Sequence, residues 1–74
     1  MTPTALRDEL AAAHWPVTLI LNSGESIVVE SVFDIAVKEG HPAAIVYSDG
    51  HRYAVSVMNV AAVRTAEAEP GPSN

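Results

Sequence analysis

The sequence predicts an all-β domain with one N-terminal α-helix: five short antiparallel strands, bent strongly enough to close a small barrel. Three observations carry this. Two stretches, V-T-L-I-L-N-S-G-E-S-I-V-V and A-A-I-V-Y-S-D-G-H-R-Y-A-V-S-V, place β-rich runs on either side of a glycine turn. Helical spacing of apolar residues occurs only near the start, at Leu6, Leu10 and Ala13. The chain has 74 residues and no cysteine, enough for one small domain that holds together without disulfides.

Residues 2–14 read as the helix. Thr2 is its N-cap and Pro3 suits the first helical position. Pro16 disfavours helix at Trp15 and stops it near His14. Val17 to Leu21 starts the first strand. Asn22-Ser23-Gly24 is a three-residue turn, which pairs Leu19 with Ile27 and Val17 with Val29. Residues 27–37, I-V-V-E-S-V-F-D-I-A-V, exceed an average strand; Ser31 or Asp34 marks a bend, which makes the run either two strands or one strongly curved strand. Lys38 to Pro42 is a loop.

The main hairpin spans Ala43 to Val57. A two-residue loop would pair Ser48 with His51. A three-residue loop, Ser48-Asp49-Gly50, would pair Tyr47 with His51 and Ile45 with Tyr53. The second register gathers Ala43, Ile45, Tyr47, Tyr53, Val55 and Val57 on one face, so it is the expected one. The two hairpins then look alike at an offset of 26 residues. Met58-Asn59 forms a tight turn, and Val60 to Arg64 is the last strand. Residues 1–64 make the single domain. Residues 65–74, T-A-E-A-E-P-G-P-S-N, offer nothing to bury and read as a disordered acidic tail.

Nine acids against four bases give a net charge of −5. Such a chain is a poor general binder of phosphate backbones or anionic membranes. No apolar run is long enough to span a bilayer, and the N-terminus lacks the pattern of a signal peptide. The cytoplasm is the expected location.

Few residues suggest chemistry. His14, His41 and His51 are widely spaced and read as loop or surface residues, not as metal ligands. Glu30 and Asp34 lie near one bend and read as solvated guards of a strand edge. Gly24, Gly40 and Gly50 are isolated turn residues, so no phosphate loop is present. No serine sits in a nucleophile motif. Trp15 reads as packing the helix onto the sheet, and Tyr47 and Tyr53 as core or interface. No catalytic residue, metal or cofactor is expected, and the chain is not expected to be an enzyme.

This order of elements matches SH3-like and Sm-like barrels. The helix L-R-D-E-L-A-A-A, the strand-turn V-T-L-I-L-N-S-G, the bent strand with E-S-V-F-D, and the closing V-S-V-M-N-V-A-A-V together resemble the Sm-like family, including its bacterial Hfq branch. The resemblance covers residues 5–64. It implies a homo-oligomer, a ring of about five to seven members, closed edge to edge by Tyr53–Met58 and Val60–Arg64. The implied interface residues are Tyr53, Val55, Val57, Met58, Val60 and Val63. Where the Hfq pattern carries a Tyr-Lys-His triplet for RNA, this chain has Ser56, Val57 and Met58. Where Sm proteins have Arg-Gly before the last strand, it has Met58-Asn59. Arg52, Arg64, His51 and Asn59 remain as candidate contacts to a ligand or nucleic acid. The expected role is a non-catalytic, homo-oligomeric Sm-like scaffold or protein-interaction module. A ring-forming RNA-binding protein is the alternative.

Overall fold

A computed structural model describes residues 1–66 of the chain. It contains one helix, α1 (Pro3–Ala11), and six strands: β1 (Val17–Leu21), β2 (Ser26–Val29), β3 (Ile35–Ala36), β4 (Ala43–Ser48), β5 (His51–Ser56) and β6 (Val60–Thr65). The strands form two separate three-stranded antiparallel sheets, ordered β2-β1-β6 and β3-β4-β5. The five-stranded closed barrel is therefore corrected to an open, two-sheet domain with one helix.

The break has a local cause. Ser31 ends the run that begins at Ser26, and its Oγ accepts from the Phe33 N–H at 3.3 Å. That contact caps a 3₁₀ turn over Val32–Asp34. A hydroxyl that satisfies a nearby backbone donor competes with the strand ladder. Of the two readings open for residues 27–37, two strands or one strongly curved strand, the structure takes the first, with β2 in one sheet and β3 in the other.

The helix is capped as its sequence suggests. Thr2 Oγ1 accepts from the Ala5 N–H at 3.1 Å, satisfying one of the unpaired donors of the first turn. Leu6 and Leu10 are buried. The helix ends at Ala11, short of His14. After Leu10 only alanines remain to hold a further turn, and the Ala13 N–H folds back to the Leu10 carbonyl at 3.2 Å.

The first hairpin has the expected register, with Val17 opposite Val29 and Leu19 opposite Ile27. Gly24 takes the positive φ, at 93°. β6 lies on the other side of β1, with Leu19 opposite Val63. A bulge between Ile20 and Leu21 lets Leu21 meet Val60 instead of Ala61. Thr65 belongs to β6, and the Ala66 N–H donates to the His14 carbonyl at 3.0 Å. β6 thus continues past Arg64, and the rest of the expected tail, 67–74, lies outside the described residues.

The second hairpin takes the other register. Ser48 pairs with His51, Val46 with Tyr53 and Ala44 with Val55. The loop is the two residues Asp49 and Gly50, with φ of 50° and 77°. Two successive left-handed residues make a type I′ turn, whose twist matches that of the flanking strands. Aspartate tolerates this region and glycine favours it. The expected three-residue loop and the likeness of the two hairpins fall together. The buried side is Ala44, Val46 and Val55, while Tyr47 is exposed.

One core joins both sheets and the helix. Leu6, Leu10, Val17, Leu19 and Val29 meet Ala44, Val46, Val55, Val57 and Val60. No side chain in it is polar or aromatic. The gap is filled by small aliphatic residues, and the tyrosines, whose hydroxyls need partners, stay outside. Phe33 is 92% exposed on its 3₁₀ turn, so this aromatic adds nothing to the core.

Candidate functional site: an open groove beside the edge of β5

Two open sheets leave strand edges. Among the described residues β5 ends its sheet, with β4 on one side and no strand on the other. Parity tells which backbone groups are unused. Ser48 and His51 flank a two-residue loop, so they form a hydrogen-bonded pair, and every second pair along the ladder does the same. These are Val46–Tyr53 and Ala44–Val55. The next in phase is Pro42–Val57, where the Val57 N–H donates to the Pro42 carbonyl at 2.8 Å. Arg52, Ala54 and Ser56 fall between, so their N–H and C=O groups point away from β4.

Beside this edge a groove of about 860 Å³ opens between the β1–β2 hairpin and the β4–β5 hairpin. Leu21, Ile27 and Val55 give it apolar lining. Tyr53, 38% exposed, adds an aromatic ring, and Ala54 and Ser56 bring the free edge into it. One contact ties the two walls: Ser48 Oγ donates to the Val28 carbonyl at 2.6 Å. At the Asn59 end, the Asn22 N–H donates to the Asn59 carbonyl at 2.7 Å, and Asn22 Nδ2 donates to the Met58 carbonyl at 3.3 Å.

Charge in the groove has one sign. Glu25, Glu30 and Asp49 are exposed and line it, and no Lys or Arg does. Glu25 sits just before β2, Glu30 just past its end and Asp49 in the β4–β5 turn, so the carboxylates come from three places in the chain.

The residues singled out by sequence separate in space. Val55, Val57 and Val60 are core, and Val63 is half-buried against it. Met58 is 75% exposed, on the 3₁₀ turn that joins β5 to β6. Tyr53 and Asn59 line the groove. His51 meets Tyr53 edge to face, with ring centroids 6.3 Å apart. Arg52 stands opposite Tyr47 on the outward side of β5, and Arg64 opposite Thr18 in the other sheet. The two arginines thus belong to different sheets. Asp34 takes a hydrogen bond from Ser31 Oγ at 3.4 Å and does not join Glu30 in the groove. Among the described residues no three His, Asp or Glu side chains converge on a metal-sized site. No helix there is long and apolar enough to cross a membrane.

Comparison with known proteins gives no match: no family model, no curated protein and no solved structure aligns with the chain. The resemblance to Sm-like proteins is therefore corrected, because neither a relative nor a closed barrel supports it. The roles that hung on it, the homo-oligomeric Sm-like scaffold and the RNA-binding ring, are withdrawn with it.

Proposed function

We propose that this domain binds an extended segment of another protein, which lies in the groove as an added strand on β5. The free backbone edge of β5, set beside apolar lining, is the observation that carries the reading. Strand addition of this kind takes its affinity from main-chain hydrogen bonds and its selectivity from pockets for alternate side chains. Ala54 and Ser56 would supply the main-chain groups. Leu21, Ile27 and Val55 would receive every second side chain of the guest. In this reading the domain is a binder without catalysis, and its cysteine-free sequence fits the reducing cytoplasm.

An NMR titration of the ¹⁵N-labelled protein tests this. The probe is an end-blocked peptide of alternating threonine and valine, about six residues long to match β5. Resonances of Tyr53 to Ser56 and of Ile27 should move together and saturate. Ala54→Pro should abolish the response while the fold persists. Proline removes only an outward N–H there, and edge strands accept it. Equal binding by the proline variant, or no shift in the native protein, would reject strand addition.

A further inference from the structure

Resting on that reading, we infer that the guest strand is cationic: an extended segment with lysine or arginine at alternate positions and apolar residues between them. Two features of the groove point the same way. Its apolar residues, Leu21, Ile27 and Val55, call for an apolar face on the guest. Its exposed charges, Glu25, Glu30 and Asp49, are all negative and come from both hairpins. A strand presents its side chains alternately to two sides, so one guest can bury aliphatic groups inward and hold its charges toward the rim.

Charge also separates this guest from its rivals. A second copy of the chain brings another net charge of −5 and a second acidic groove, so pairing β5 to β5 is opposed by like charge. An acidic strand meets the same repulsion. No Lys or Arg lines the groove to relieve it: Arg52 stands on the outward face of β5, Arg64 lies in the other sheet, and Arg7 pairs with Glu39 at 3.6 Å.

The test compares three end-blocked peptides of equal length, in which valine alternates with lysine, threonine or glutamate. Lysine should bind about tenfold more tightly than threonine at low salt, as expected from a few exposed ion pairs acting together. Raising the ionic strength to 0.5 M should remove most of that gain, since exposed charges are screened. Glutamate should bind more weakly than threonine. Changing Glu25, Glu30 and Asp49 to Gln, Gln and Asn should bring lysine and threonine to equal affinity without unfolding the domain, because all three groups are exposed. Equal, salt-independent binding of all three peptides by the native chain would overturn the cationic preference and leave strand addition standing. Binding of none would overturn both. A dimer in light scattering, dispersed by Ala54→Pro, would overturn the inference by assigning the edge to a second copy.

Discussion

Val46→Asp will unfold the domain, and Tyr47→Asp, one residue away, will not. Val46 is fully buried, and Tyr47 is 52% exposed. An aspartate at position 46 would place a carboxylate among aliphatic side chains with no polar partner, since no polar side chain is buried there. The cost of an unpaired buried charge is about 4 kcal/mol or more, most of the stability of a small domain. At position 47 the carboxylate stays in water, and the loss is about 1 kcal/mol from strand propensity and lost surface contact. Circular dichroism during urea titration reads both. The three-residue register would reverse the order, because it turns Tyr47 inward and Val46 outward.

Leu19→Ala should cost about 3 kcal/mol, within the usual range for a buried leucine. β1 is the central strand of its sheet, and Leu19 stands between Ile27 and Val63 with no exposed surface. Its loss removes apolar contacts to both neighbours and leaves a cavity that a short, doubly paired strand cannot collapse around. Ile20→Ala is the control. Ile20 is half-buried on the opposite face, and its truncation should cost about 1 kcal/mol. The urea midpoint should fall far more for position 19 than for position 20. Equal losses would mean that the core does not lie on the side assigned to it.

The first hairpin was legible because two signals agreed. Asn22-Ser23-Gly24 allows a three-residue turn, and that register also gathers Val17, Leu19, Ile27 and Val29 on one side. In the second hairpin the signals disagreed. The larger apolar side, with Ile45, Tyr47 and Tyr53, favours three loop residues, whereas Asp49-Gly50 favours two. The turn won, because both residues accept left-handed φ and the space between the sheets takes Ala44 and Val46 better than tyrosine. Pattern counting weighs a tyrosine as apolar and overlooks its hydroxyl.

The open architecture turns on Ser31. The sequence marks a bend there, but a bend in a continuous strand and a capped 3₁₀ turn between two strands leave the same local pattern. Only the placement of β3 against β4, instead of in line with β2, distinguishes them. The groove was hidden for a related reason. Glu25, Glu30 and Asp49 look like ordinary surface residues in sequence, and Glu30 reads as a guard of its own strand edge. They share a groove because the Ser48 contact sets one hairpin against the other, a relation between residues 20 apart that no short motif carries.

Strand addition depends most on the free edge of β5, and amide hydrogen exchange measures that edge residue by residue. In the free protein Tyr53 and Val55 should exchange slowly and Ala54 and Ser56 fast, the alternation that a one-sided ladder imposes. Addition of the lysine–valine peptide should slow Ala54 and Ser56 and leave Tyr53 and Val55 nearly unchanged. Uniformly slow exchange in the free protein would show the edge already paired, and fast exchange at Ala54 and Ser56 with saturating peptide would contradict strand addition.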